Sequence, residues 1–369
     1  MTLARLLQLK DAEVKVYERD AGMNVRVQGA TLDLHEDSGL EALRRAGLIE
    51  EFYAHHRPDA GRLRVLDKQA IIHLDDHAAA NAYAETRPEI DRGPLRHILL
   101  QSLKPGTVAW DSHFVSMEQE GTGWQLSFRN GTSAYADIVI AADGANSKLR
   151  FYLTNIKAVY SGITVVEGNI YNAEKSTPQL WNLTKGGKVF AFGDEQSLIL
   201  SAKGEGSLSF YTGCKAAEDW VQQSGIDFNS KQQVFDWFKT AFGSWSGIWQ
   251  ELFTPDESWF IPRPQYHFPL DQHWETLPNL TLLGDAAHRM PPYAGEGVNM
   301  AMQDAFELAG CLTNDGFQNV RDAIRQYENG MLPRASEITQ MSLDMTGLLH
   351  SADPIPKMLA MMNEEKERV

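Results

Sequence analysis

The densest chemistry in the sequence lies over residues 280–299, LTLLGDAAHRMPPYAGEGVN. An apolar strand delivers Gly284-Asp285, two alanines permit close backbone approach, Pro291-Pro292 stiffen a loop, and Gly295-Glu296-Gly297 open a helix at Val298-Asn299. A glycine-rich helix start presents unpaired N–H groups and a partial positive charge, which suits an electron-rich ligand atom. A second cluster follows the apolar strand 137–141: Asp143-Gly144, then Ser147 and Arg150 four and seven residues after the aspartate. This gathers polar groups at the carboxyl end of a strand, where doubly wound sheets bind ligands; an ordinary Asp-Gly turn with a helix cap at Ser147 has the same spacing. A third is the alternating strand 13–18, EVKVYE, whose terminal acid Glu18 stands where a dinucleotide-binding sheet places a carboxylate for an adenosine ribose.

Other constellations lead less far. His73-Leu74-Asp75-Asp76-His77 sets two histidines four apart, which on a helix would share one metal face, but Ile71-Ile72 reads as strand, so the spacing is accidental and no metal is expected. His288 is the tempting general base, yet it lies in a stretch whose role reads as architectural, and no catalytic residue is assigned. Cys214 and Cys311 make no disulfide framework and have no partners at zinc-finger spacing, which fits a reducing, cytoplasmic setting.

These clusters need a scaffold large enough to hold them. The 369 residues are 43% apolar and 10% aromatic, which excludes a solvating or fibrous chain. Thirty-four basic against 49 acidic residues give a net charge of −15, a field that repels phosphates and argues against nucleic-acid binding. Any anionic ligand must then meet a local cluster of arginines. No apolar run approaches the roughly 18 residues of a membrane span, and the opening MTLARLLQLK lacks a signal peptide's centre and cleavage site, so a soluble protein without a membrane partner is expected. Leu3, Leu6, Leu7 and Leu9 mark a first helix, followed by strand 13–18. Helices are expected at 40–46 and 93–103, strands at 62–66 and 70–74, and short strands with an Asn130-Gly131 hairpin turn from 107 on. β-Rich runs dominate 161–270, with helices near 216–223 and 232–242. Strand 280–283 and helices 298–312 and 320–331 follow, then a helical tail, 333–369, broken near Pro354 and Pro356. The strand-rich middle therefore interrupts a discontinuous first domain, 1–160 plus 271–332.

Together the three clusters resemble the class A flavoprotein monooxygenases, the group that includes the aromatic hydroxylases. The match runs from Thr2 to about Tyr327, and its nearest flavour is similar to the TetX-type tetracycline-modifying enzymes. VYERDAGMNVRVQGATLDLH (16–35) and EIDRGPLRHILLQSL (89–103) carry the subgroup resemblance, and GDAAHRMPPYAGEGVN (284–299) carries the superfamily. The resemblance implies an α/β fold: a Rossmann-like FAD-binding domain, an inserted β-sheet substrate domain at 161–270 and a C-terminal helical segment. It implies that Glu18 and Arg19 hold the adenosine end of FAD, that Asp33 and Arg96 contact the flavin or ribityl portion, and that Asp285 binds the ribityl chain. Pro292, Gly295, Gly297, Val298 and Asn299 would lie against the isoalloxazine, and Arg26 would meet NADPH. Gln179 and Tyr293 match substrate-lining positions by place. The implied reaction uses FAD, NADPH and molecular oxygen to insert one oxygen atom into an aromatic or polycyclic substrate through a flavin C4a-hydroperoxide, with a tetracycline-like antibiotic among the candidates and a monomer expected. Ser209 stands where tetracycline-modifying relatives carry a histidine, which leaves the substrate at the broader class. Halogenation is disfavoured because no W-x-W-x-I-P run is present.

The sequence departs from the family at its first element. A dinucleotide-binding βαβ unit runs about 30 residues from its first strand through G-x-G-x-x-G to the acid on the second strand. Here the acid is residue 18, and no G-x-G-x-x-G lies in a strand-to-helix context. The expectations are a truncated or wrongly chosen start at Met1 and a sheet with an unfilled central slot. The alternative to an active enzyme is a non-catalytic remnant that cannot retain FAD.

Overall fold

The computed structural model describes residues 1–23, 31–78 and 87–368. Its opening helix α1 (Thr2–Gln8) buries Leu3, Leu6 and Leu7 on one stripe, as their spacing dictates. β1 (Val16–Tyr17) follows, shorter than the expected 13–18, then β2 (Leu32–Asp33) and helices α2 (Glu41–Ala46) and α3 (Ile49–His55). α2 ends at Gly47 in the left-handed region, and a turn of π-helix at Glu36–Leu40 leads into it.

β3 (Leu63–Asp67) and β4 (Ile72–Asp75) leave this layer, and β5 (Glu89–Ile90) and α4 (Arg92–Gln101) return to it. β6 (Val108–Ala109) pairs in parallel with β1. A three-stranded antiparallel sheet of β7 (Phe114–Glu120), β8 (Gly123–Phe128) and β9 (Ser133–Ala136) precedes β10 (Val139–Ala141). β10 pairs in parallel with β16 (Leu280–Leu282). Among the described residues no hydrogen-bonded strand joins the β1–β6 pair to the β10–β16 pair.

The middle of the chain supplies β11 (Val159–Ile170), α5 (Ala173–Ser176), α6 (Pro178–Thr184), β12 (Lys188–Gly193), β13 (Gln196–Ala202), β14 (Leu208–Lys215), α7 (Trp220–Gln223), α8 (Lys231–Ala241) and β15 (Ser258–His267). The strands form a seven-stranded sheet in the order β15-β11-β14-β13-β12-β3-β4. This corrects the expected boundaries: β3 lies parallel to β12, so residues 63–75 sit with the middle sheet rather than with the first domain. One face buries Val166, Leu198, Leu200 and Phe210 under Leu180, Val234, Phe238 and Trp249. On the other face, Glu167, Tyr211, Ile199, Phe190 and Val65 form one cross-strand row, and Asn169, Ser209, Ser201 and Lys188 the next. Each fully buried aliphatic or aromatic side chain stabilises the fold by about 1.5–3 kcal/mol.

The chain closes with α9 (Asp285–His288), α10 (Gly297–Leu312), α11 (Val320–Leu349) and α12 (Pro354–Arg368). The sequence reading ended a helix before Pro333, yet α11 runs straight through it. Buried Met331 and Ala335 flank the proline, and Arg334 is pinned to Asp304 and Glu307, so tertiary packing outweighs the local penalty. The break falls at residues 350–353, and Pro354 opens the next helix, where its missing N–H costs nothing. Among the described residues no helix is long and apolar enough to cross a membrane, and no cluster of His, Cys, Asp and Glu is placed to hold a metal.

Candidate functional site

The Gly284–Asn299 stretch is held from beneath by a network of buried charges. Gly284 takes φ +62° and ψ −144°, a conformation that favours glycine, and a Cβ there would stand 3.1 Å from Ala301. Its N–H donates to Asp304 Oδ2 at 2.9 Å. His288 Nε2 lies 2.6 Å from the same oxygen, and Arg334 reaches Asp304 Oδ1 at 2.8 Å. Burial opposes charging of His288, but the Asp304 carboxylate outweighs it and raises the imidazole; Asp304 is in turn held below the usual carboxylate range by His288, its backbone bond and Arg334, against the cost of its own burial. With only 1% of its surface exposed, His288 is an architectural group.

The Asp143-Gly144 cluster resolves the same way. Asp143 Oδ2 accepts from the Lys148 and Leu149 N–H groups, and Ser147 Oγ accepts from the Arg150 N–H, so both act as caps. Arg150 is buried and donates to the carbonyls of Ala286 and Ala287, each at 3.0 Å, and to Gln272. Its guanidinium lies 3.6 Å from the centre of the Phe268 ring, and burial lowers it to about 10, so it remains a cation at neutral pH. Arg150 thus clamps the far end of α9.

The outer side of the stretch is different. Asp285 is exposed, as are Pro292, Gly295 and Gly297, and a Cβ at Gly297 would meet nothing within 4 Å. Gly297 and Val298 begin α10, so their N–H groups have no partner within the helix. Asn299 is buried: its Oδ1 accepts from the His35 N–H at 3.0 Å and its Nδ2 donates to the Asp33 carbonyl at 3.0 Å, which commits its side chain to tying the end of β2 to α10.

Around this tip the candidate Asp33 joins ionic groups that sequence reasoning missed. His35 stands between Asp33, at 3.1 Å, and Glu296, at 3.4 Å. Arg87 faces the same two carboxylates at 3.9 and 3.8 Å. Burial alone would raise Asp33, but the His35 hydrogen bond and the Lys188 and Arg87 cations bring it down to about 2. Burial likewise works against the His35 cation, yet its bonds to Asp33 and Glu296 carry it up to about 9. Lys188 on β12 donates to the buried Glu89. His35 ends the TLDLH run and Glu296 sits inside GEG, so both lay within quoted motifs; Glu89 and Lys188, 99 residues apart, show no local pattern.

The remaining candidates scatter. Glu18 follows β1, with one carboxylate oxygen accepting from the Asp20 N–H at 3.1 Å, and Arg19 is exposed. Arg96 is spent locally, on the Met23 carbonyl at 2.7 Å and Asp20 at 3.3 Å. Arg26 lies outside the described residues. Tyr293 turns toward the sheet and the end of α11, its hydroxyl 3.4 Å from His350 Nε2, and burial raises it well above its ordinary value. Gln179 does not join this group: it is exposed on α6, on the opposite face of the sheet, with its N–H directed to Glu251. A separate cleft of about 750 Å³, lined by Ser161, Lys215, Leu343, Thr346 and His350 among others, opens beside the end of α11 and does not include the Asp285–Gly297 tip.

Residues 272–342, which contain this tip, match the family described as FAD binding domain. The chain is also similar to 6-hydroxynicotinate 3-monooxygenase of Pseudomonas fluorescens, 26% identical over 95% of this chain and 89% of the relative. By these two matches the chain is similar to the class A flavin-dependent monooxygenases. Solved structures share the fold of this chain. One is HpxO of Klebsiella pneumoniae complexed with FAD and uric acid: 18% identity, TM-score 0.74, 99% of this chain and 90% of that one. Another is the tetracycline destructase Tet(55): 17% identity, TM-score 0.76, 96% of this chain and 88% of that one.

Proposed function

We propose that the protein is an FAD- and NADPH-dependent monooxygenase that places one oxygen atom on an aromatic or polycyclic substrate, with tetracycline-like antibiotics within that class. The observation that carries this is the open tip: the exposed Asp285 carboxylate beside Gly297 and Val298 N–H groups that have no partner within the helix, with clear space above Gly297. These groups fit the sugar-alcohol tail and the electron-rich pyrimidine edge of a flavin. Glu18, at the carboxyl end of β1, fits an adenosine ribose.

When bound, FAD supplies the oxygen-transfer chemistry, and the chain's own residues position it and exclude water. Asn299 and the His35–Glu296–Arg87 group hold the Asp33 loop against α10 and so fix the direction of its N–H groups. Tyr293 and the face bearing Tyr211, Ile199 and Phe190 offer ring and apolar surface to a planar substrate.

Purified protein supplied with FAD should oxidise NADPH faster when a phenolic or polycyclic substrate is added, with a product 16 mass units heavier, about one oxygen atom. Flavin uptake without substrate-stimulated NADPH oxidation would refute the monooxygenase reading. A folded protein that takes up no flavin would support the remnant instead, the reading favoured by the lack of a G-x-G-x-x-G run in these residues.

A further inference from the structure

Most of the half-buried arginines in this protein are committed. Arg334 binds Asp304 and Glu307, Arg57 binds Asp91, and Arg96 binds Asp20 and a carbonyl. Arg289 is an exception. It is half-buried, and among the described residues no carboxylate lies within 4.0 Å of it. Among the described residues its side chain makes one hydrogen bond, from Nη1 to Asn146 Oδ1 at 3.5 Å, a length at which such a bond is weak. The guanidinium instead lies over the Tyr266 ring, 4.6 Å from its centre, which orients the donor fork without neutralising it.

The location gives this cation a purpose. Asn146 follows the carboxyl end of β10, and Arg289 follows that of β16 by way of α9; the two strands are parallel neighbours. Arg289 therefore stands over the edge at which parallel sheets receive dinucleotides. The exposed Asp285 carboxylate shares that edge and is close enough for its charge to act on the guanidinium. A sugar-alcohol ligand for Asp285 and an anionic ligand for Arg289 are what a phosphorylated dinucleotide carries along one strand of its structure. In a chain of net charge −15, a cation at such an edge with no ion-pair partner within 4.0 Å among the described residues is suited to an anion.

The geometry points to Arg289, steadied by Tyr266 and Asn146, as the contact for a dinucleotide phosphate, either the FAD diphosphate or a phosphate of the nicotinamide reductant. This rests on the flavoenzyme reading above. The contact is a charge-assisted fork to phosphate oxygens, and Lys in the same place would keep the charge but lose the bidentate geometry.

The test is equilibrium binding to the full chain and to Arg289→Met and Arg289→Lys, with circular dichroism confirming that each is folded. FAD and riboflavin are titrated by flavin fluorescence, and NADPH and NADH by quenching in the flavin-loaded protein. If the FAD diphosphate is the ligand, Arg289→Met weakens FAD about 10- to 100-fold and leaves riboflavin within about twofold, the range expected for losing hydrogen bonds to a charged group. If the reductant's phosphate is the ligand, FAD is unchanged and NADPH weakens by a similar factor; Arg289→Lys falls between in either case. Unchanged affinities for FAD and NADPH, or a riboflavin loss that matches the FAD loss, would overturn the assignment alone. A folded wild-type chain that takes up no flavin would overturn the flavoenzyme reading and this inference with it.

Discussion

The two sides of the Gly284–Asn299 stretch obey opposite rules. On the inner side, Asp304 collects Gly284, His288 and Arg334, and Arg150 satisfies the carbonyls of Ala286 and Ala287. On the outer side, Asp285 is exposed, the first N–H groups of α10 have no partner within the helix, and a Cβ at Gly297 would meet nothing within 4 Å. Buried groups tied together through Asp304 form a scaffold, in which His288 Nδ1 and Arg334 Nε make no hydrogen bond among the described residues, whereas polar groups at the same loop's exposed rim are available to a ligand. The motif's conspicuous histidine therefore belongs to the scaffold, and its plain aspartate and glycines form the rim.

The sharpest way to break this contrast is to cut the scaffold. Asp304→Ala leaves His288 and Arg334 as buried cations that have lost a shared partner, and removes the acceptor for Gly284. Urea or thermal unfolding should show a loss of about 3–5 kcal/mol. A loss below about 1 kcal/mol would mean the network is not what holds the loop. Gly284→Ala should cost less, about 1–3 kcal/mol, because it forces an alanine into a strained conformation against Ala301. An alanine variant as stable as wild type would show that the loop can re-form without that geometry.

The ionic group beside the tip sharpens the comparison through pH. His35 is raised to about 9 in the fold, so its contribution is complete below its ordinary value near 6.5 and is lost as pH climbs through 9. Asp33 is lowered to about 2, so its contribution is complete above its ordinary value and is lost as pH falls toward 2. Stability from this pair should therefore be greatest between about pH 4 and 6.5. The midpoint of thermal unfolding should fall between about pH 7 and 9.5, and His35→Gln should flatten that part of the curve. An unchanged slope in the variant would remove His35 from the account.

The smallest stability effect belongs to the rim. Asp285→Ala should change unfolding free energy by less than about 0.5 kcal/mol, since the carboxylate is exposed and accepts no hydrogen bond among the described residues. A large loss would place Asp285 in the scaffold and erase the distinction between the two sides.

Much of this was legible in the sequence where the pattern is local. The strand, Gly284-Asp285, the proline loop and the glycine-rich helix start are contiguous, so their order alone gave the tip. Asp143 and Ser147 left two readings open because a capping turn and a ligand-gathering turn share one spacing; only the bonds to Lys148, Leu149 and Arg150 separate them. Long-range choices were not legible. β3 could not be assigned to the middle sheet, because its partner β12 lies more than a hundred residues on and parallel pairing leaves no turn to read. The expected boundary between helix 320–331 and the tail from 333 is absent because the packing that carries α11 through Pro333 is tertiary. Gln179 was matched by position along the chain, but its helix covers the opposite face of the sheet.

The most direct test of the central claim is a titration of FAD into the purified 369-residue chain and into Asp285→Ala, followed by flavin fluorescence and visible absorbance, with circular dichroism to show that both are folded. The account predicts one FAD per wild-type chain, and an affinity weakened about tenfold or more in the variant at unchanged stability. A folded wild-type protein that leaves the flavin signal unchanged, or a variant that binds FAD as tightly as wild type, would contradict it.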